Sequence, residues 1–276
     1  MKRFVLLFFA YFLLNIVAAQ SSLQKAIGQL VADPDLKHAS LGICVIDVES
    51  GKVIAQYEKD QSLIPASSLK VVTTATALSK LGENFRFKTE LQYDGQLKSD
   101  GTLNGNLYLK GYGDPTLGSD RFDNAVTVDL LMDELVQAVK KAGIKKINGK
   151  IVGDASFYTS SVNSRSWLWE DLGNYYACGA WGLNIQENKF YINFKQSLKL
   201  GAQPKIESTK PSIPNLLLIN EVQSAETNSG DNAYIFGSPY SYTRFIRGTI
   251  PIGKSTFTIK GAIPDPPFFA AHKLMQ

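Results

Sequence analysis

Cysteine and histidine are nearly absent from this 276-residue sequence, which holds two of each. A four-cysteine zinc site is excluded by count, and His38 and His272 offer little toward a metal centre. A Ser-His-Asp triad is equally poorly supplied, and no G-x-S-x-G elbow occurs. Cys44 and Cys178 could form at most one bridge, and sequence alone does not place their Cα atoms within bonding range. Cys44 lies in an apolar strand pattern, which favours a buried free thiol at least as much as a disulfide. Long basic runs are missing too: Lys140-Lys141 and Lys145-Lys146 read as a helix end and a solvated turn. No metal, no cofactor and no nucleic acid is expected as a partner.

No apolar run is long enough to cross a membrane. The longest, Phe4 to Leu14, has eleven residues, too few for a hydrocarbon core roughly 30 Å thick. It follows Lys2 and Arg3 and precedes the small residues Val17-Ala18-Ala19, the layout of a secretory leader with cleavage expected after Ala19. Export to the periplasm or cell envelope follows, with no stable membrane span after cleavage. Removing residues 1–19 takes Lys2 and Arg3 away and lowers the formal charge from +4 to +2. The 44% of apolar residues that the sequence contains is enough for a packed core.

Along the chain, Gln24 to Val31 forms a short amphipathic stretch stopped by Asp33-Pro34. Leu41 to Val48 predicts a buried strand, and Lys52 to Tyr57 its return after Glu49-Ser50-Gly51. A helix is predicted from Ser67 to Leu81, with Pro65 before it and Gly82 closing it. Phe87 to Gly111 alternates apolar and polar residues between Asp-Gly and Asn-Gly turns, which suggests a β-meander. A helix over Val128 to Ala142 and a strand over Ile147 to Val152 follow. Further strands are expected at 190–194, 216–218, 233–236, 242–247 and 256–260, then a helix from Phe268. This order points to an α+β protein in which a mostly β domain is inserted after the first long helix.

One motif carries chemistry. Ser67-Ser68-Leu69-Lys70 is an S-x-x-K, and residues three apart on a helix share one face, about 5–6 Å apart at Cβ. A serine hydroxyl needs a neighbouring base to become a good nucleophile, and a lysine can serve once burial lowers its proton affinity. A helix N-terminus adds donors that favour a developing oxyanion. Ser22-Leu23-Gln24-Lys25 also fits the letters, but it lies in what reads as a flexible terminus with nothing to bury a lysine. Without further context, Ser67 also reads as an ordinary helix-start serine beside a solvated lysine.

The run Ile64-Pro65-Ala66-Ser67-Ser68-Leu69-Lys70-Val71-Val72-Thr73-Thr74 resembles the active-site helix of the D-alanyl-D-alanine carboxypeptidase/endopeptidase family, the class C low-molecular-mass penicillin-binding proteins. Four later segments resemble that family in the same order. They are Gly111-Tyr112-Gly113-Asp114-Pro115-Thr116-Leu117, the stretch Gly149 to Phe157, Trp169-Glu170-Asp171 through Tyr175-Tyr176 to Asn184 and Asn188, and Gly261 to Pro266. The resemblance implies part of a penicillin-binding/β-lactamase-like transpeptidase domain. It implies acyl transfer from peptidoglycan stem peptides to Ser67, with Lys70 as proton acceptor and the Ser67 backbone N–H as half of an oxyanion hole. β-Lactams would be covalent inhibitors at the same serine. Asp154 would bind the amino end of a stem-peptide side chain, although a turn aspartate that caps its own backbone is the simpler reading.

The expected organisation is a leader at 1–19, the first part of a catalytic domain at 20–84, inserted accessory structure at 85–254 and a return toward the catalytic domain at 255–276. The family's K-T-G motif is absent: Lys254-Ser255-Thr256 lacks the glycine. Ser161-Val162-Asn163 fits S-x-N by letters only, because it falls inside the inserted region. The chain therefore reads as cut short before both motifs and inactive alone. Alternatives are a catalytically dead cell-wall-binding remnant or, less well supported given the insertion, a β-lactamase.

Overall fold

The computed structural model describes residues 22–122 and 126–276. The expected leader, residues 1–19, lies outside them. The chain divides into two compact units, Met1–Phe85 and Arg86–Gln276. The fold is α+β, with many strands and few helices. Among the described residues, no helix is long and apolar enough to cross a membrane.

In the first unit, helix α1 covers residues 22–31. Residues 22–25, read from sequence as part of a flexible terminus, lie in this helix, and Gln24 ties it to a strand. Its amide donates to the Gln56 carbonyl at 3.0 Å, and the Gln56 N–H donates back to Gln24 Oε1 at 3.1 Å. Strands β1 (Ile43–Ile46) and β2 (Val53–Tyr57) form an antiparallel hairpin. Asp47 organises its turn by accepting from the Ser50 N–H at 2.7 Å. The buried strand expected over Leu41 to Val48 is not buried: half-buried Ile43 and Val45 alternate with exposed Cys44 and Ile46. A two-stranded ribbon has two faces, and no described neighbour covers the outward one. After a one-turn 3-10 helix at Ala66–Ser68 comes helix α2, Leu69–Leu81. It ends where Gly82 takes φ +80°, in the left-handed region that favours glycine.

Among the described residues, the second unit carries four three-stranded sheets. In the first, β3 (Thr89–Tyr93) pairs antiparallel with β6 (Leu107–Gly111), which pairs parallel with β8 (Ile151–Asp154). Between them, β4 (Gln96–Leu97), β5 (Thr102–Asn104) and β7 (Lys146–Ile147) make a separate small sheet. The region is therefore two nested hairpins, not the expected meander. Asp94 fixes the inner hairpin, accepting from the Asn106 N–H at 2.6 Å and from the Tyr108 hydroxyl at 2.7 Å. The single strand expected over Ile147 to Val152 is likewise split. Asn148 N–H donates to Leu103 in β5, whereas the Lys150 carbonyl accepts from Leu107 in β6, so the chain passes from one sheet to the next.

Helix α3 (Val128–Lys141) precedes β7. Strand β9 (Lys189–Lys195) lies between β10 (Lys205–Lys210) and β14 (Thr256–Ala262). Strand β13 (Thr243–Pro251) lies between β11 (Leu217–Ala225) and β12 (Asn232–Phe236). Strand β10, with the sequence KIESTK, has no apolar alternation to announce it; it is an edge strand held by its ladder to β9. Helix α4, Pro266–Met275, starts two residues before the expected Phe268. Asp265 caps it, accepting from the Phe268 N–H at 3.0 Å, with Pro266 in the first turn.

The core of this unit is continuous. Phe190, Ile192 and Phe194 alternate inward along β9, joined by Leu107 and Leu109 from β6, Ile235 from β12, Ile246 from β13 and Phe269 from α4. Full burial of each such side chain stabilises by about 1.5–3 kcal/mol. Gly153 lets α4 approach β8, since a Cβ there would stand 2.0 Å from the Pro267 carbonyl oxygen. Residues 255–276 fall within this second unit.

Candidate active site

The first constellation sits at the start of α2. The 3-10 turn at Ala66–Ser68 leads into the helix, so Ser67 and Lys70 share one face one turn apart. Lys70 Nζ donates to Ser67 Oγ at 3.1 Å. Ala66, the preceding residue, has φ +45°, a conformation that non-glycine residues rarely adopt and that costs of order 1–3 kcal/mol. Thr73, Thr74 and Thr76 return their hydroxyls to carbonyls one turn earlier, which spends their polar groups within the helix. Both Ser67 and Lys70 are exposed. Burial, which would favour the neutral amine that can accept a proton, is therefore not supplied by residues 22–85.

The second constellation lies on one face of the β3–β6–β8 sheet. Strand alternation turns Leu107 and Leu109 into the core and leaves Tyr108 and Lys110 on the other face. The register sets Glu90, Lys110 and Asp154 side by side in a row across the three strands. Lys110 Nζ faces Asp154 Oδ2 at 3.4 Å, and Asp154 Oδ1 accepts from the Ser156 N–H at 2.8 Å. Asp154 thus caps its own turn and also faces a cation. Burial pushes its proton affinity up, but the Ser156 hydrogen bonds and the Lys110 charge outweigh that and hold the carboxyl below its ordinary range.

Glu90 is held more firmly. Lys88 donates to it at 2.8 Å, the Tyr112 hydroxyl at 2.7 Å and the Gln92 amide at 2.9 Å. Lys88 first and Tyr112 second bring its pKa down to about 2. The ammonium of Lys88 also stands 4.3 Å from the Tyr112 ring centroid. None of Lys88, Glu90 or Lys110 stands out in the sequence. Only the period-2 alternation of 107–111, combined with a register that sequence does not give, could have picked out Lys110.

The other segments that resemble the family hold this unit together. Asp114 accepts from the Thr116 N–H at 2.8 Å, and its carbonyl accepts from Asn184 at 3.0 Å. Asn188 is buried and donates to Asn184 Oδ1 at 2.6 Å. Tyr176 donates to Asp171 at 2.9 Å. Asn163, of the letter-only S-x-N, donates to the Ala177 carbonyl at 3.2 Å, a structural bond inside the second unit. Cys44 and Cys178 are both free thiols. A groove of about 820 Å³ runs between the edge of β8 and α4, lined by Ile151, Gly153, Tyr240 and Phe268 among others; Asp154 is not part of its lining.

A serine and a lysine paired at the mouth of one helix, on a unit followed by a larger β-rich one, define an S-x-x-K protein of α+β fold. Residues 23–276 match the D-Ala-D-Ala carboxypeptidase 3 (S13) family, and the chain belongs to that family. It is 26% identical over 239 residues to D-alanyl-D-alanine carboxypeptidase DacB of Haemophilus influenzae, covering 86% of this chain and 47% of that protein. It is 24% identical over 248 residues to the D-alanyl-D-alanine carboxypeptidase of an Actinomadura species, covering 90% of this chain and 42% of that one. The crystal structure of penicillin binding protein 4 from Haemophilus influenzae is similar in fold, with a TM-score of 0.67 and 28% identity. That match covers 85% of this chain and 49% of the crystallised one. The chain spans about half the length of the curated relatives it matches.

Proposed function

We propose that this chain supplies the acyl-accepting serine of a penicillin-binding D-Ala-D-Ala carboxypeptidase/endopeptidase that acts on peptidoglycan stem peptides in the cell envelope, after export directed by residues 1–19. The observation that carries this reading is the 3.1 Å contact between Lys70 Nζ and Ser67 Oγ, within the range required of a nucleophile and its base. Ser67 Oγ attacks the carbonyl carbon between the two D-alanines, and a neutral Lys70 takes the hydroxyl proton. The Ser67 N–H is one oxyanion donor. Lys70 then gives the proton to the leaving nitrogen as the C–N bond breaks and D-alanine departs. Water resolves the ester. β-Lactams acylate the same oxygen, in keeping with the name of the crystallised relative. Asp154 receives the ammonium of the stem-peptide side chain.

No K-T-G is present, the letters S-x-N serve a structural bond, and Lys70 is exposed. An oxyanion donor is typically worth about 10²–10³ in rate. The same facts favour a second reading, a wall-binding protein without catalysis. Prolonged incubation with a fluorescent penicillin, followed by peptide mapping, separates the two. Slow label confined to Ser67 and lost in Ser67→Ala is the expected result. No label after a day favours the second reading, and label that survives Ser67→Ala would overturn Ser67 as the acyl acceptor. Robust labelling within minutes would mean that no further motif is required.

A further inference from the structure

We infer that Lys110 is a resident stand-in for the ligand's ammonium: it occupies Asp154 in the free protein and swings to Glu90 when a ligand ammonium takes its place. The inference deepens the reading of Asp154 given above and rests on it.

Three observations carry it. First, the Lys110–Asp154 pair is loose. At 3.4 Å it is well beyond the roughly 2.7–2.9 Å of a strong charge-assisted bond, whereas Lys88, just before β3, reaches Glu90 at 2.8 Å. An ammonium approaching Asp154 Oδ2 at normal distance makes the better bond. Second, a destination exists. Glu90 is the direct cross-strand neighbour of Lys110 on the side away from Asp154, and directly opposed side chains lie about 4.5–5.5 Å apart at Cβ. The Tyr112 ring, 5.8 Å from Lys110 Nζ, gives the departing ammonium an aromatic face on that side. Third, both partners can be reached, since the side chains of Lys110 and Asp154 retain 26% and 22% of their exposure. Asp154 keeps one facing ammonium throughout the exchange, and the displaced Lys110 gains the Glu90 carboxylate beside it. The competing cation sets a threshold: neutral or weakly basic side chains cannot displace it, and a full ammonium can.

The test uses the whole chain and two probes: a synthetic D-Ala-D-Ala stem peptide with a free side-chain ammonium, and the same peptide acetylated at that amine. Binding is followed by NMR titration, and thermal melts check that each variant is folded. Lys110→Met should tighten the ammonium peptide about two- to fivefold, the worth of a partly exposed ion pair, and leave the acetylated peptide unchanged. Glu90→Gln should weaken the ammonium peptide by about twofold, because the displaced Lys110 loses its destination. Without ligand, Lys110→Met should raise the carboxyl titration midpoint of Asp154. If the wild-type chain prefers the ammonium peptide through Asp154, but Lys110→Met weakens or does not change that preference, displacement is overturned and the Asp154 reading survives. If the wild-type chain shows no preference, or the preference persists in Asp154→Asn, the Asp154 reading itself fails. Lys110→Gln repeats the arm should Lys110→Met unfold.

Discussion

Helices α2 and α4 carry similar loads of apolar residues and meet different fates. In α4, Pro266, Phe269, Ala270, Ala271 and Leu274 are buried against the second unit. In α2 no residue is buried, and Leu69, Val72, Leu78 and Leu81 each keep more than half of their exposure. The contrast extends to the units: among the described residues, Ile27 and Ala55 are the only buried apolar side chains of 22–85, whereas 86–276 builds a continuous core. An apolar stripe states which face of a helix will be buried if something covers it. Burial itself needs a second surface, and for α2 none is described.

The largest expected effect that would break this contrast is in hydrogen exchange. Backbone amides of β9 and β13 should exchange at least about 10³-fold more slowly than those of α2, because opening the core requires global unfolding and opening α2 does not. Equal protection would mean that α2 is covered. Core truncation comes next. Phe190→Ala should cost about 3–5 kcal/mol in denaturant unfolding, whereas Leu78→Ala should stay within about 0.5 kcal/mol.

The two cysteines offer a third comparison. Cys44 is exposed, whereas the Cys178 thiol donates inward to the carbonyls of Tyr175 and Asn188, and burial pushes its pKa up to about 12. Cys44 should react with a thiol reagent at pH 8 at least about tenfold faster than Cys178, read by mass spectrometry of each peptide. The folded state keeps the Cys178 proton while the unfolded chain releases it. Stability should therefore fall as pH rises from the ordinary thiol value of 9 toward 12, and Cys178→Ser should flatten that slope.

A smaller effect is expected at Glu90. Its depressed pKa means that its contribution to stability is complete above the ordinary value of 4.5 and is lost as pH falls through about 2. Lys88→Met should move the carboxyl midpoint upward in an NMR titration. The smallest effect is at Ala66, where φ is +45°: Ala66→Gly should raise stability by no more than about 1 kcal/mol, since relief of strain is offset by a more mobile unfolded chain.

Much of the second unit was legible from periodicity. The alternation FYINF of β9 and the amphipathic α3 each express a local rule that the tertiary structure did not override, and the helix expected from Phe268 is there, begun two residues earlier by the Asp265 cap. Legibility failed where a partner decided. The pairing of β3 with β6 across an inner hairpin rests on Asp94 meeting Asn106 and Tyr108, a contact that no turn signal reveals. Strand β10 is polar and exists because β9 offers it an edge. The exposure of Cys44 depends on what does not lie over β1.

The sequence by itself determined that Ser67 and Lys70 meet, because the helical repeat is a local property and three residues make nearly one turn. It also determined the stop at Gly82, where only glycine enters the left-handed region at little cost. Tertiary structure alone decided that α4 is covered and α2 is not, and that Glu90, Lys110 and Asp154 stand in one row. The physical reason is common to both: burial and register are properties of pairs of surfaces, and a single segment carries only one of them.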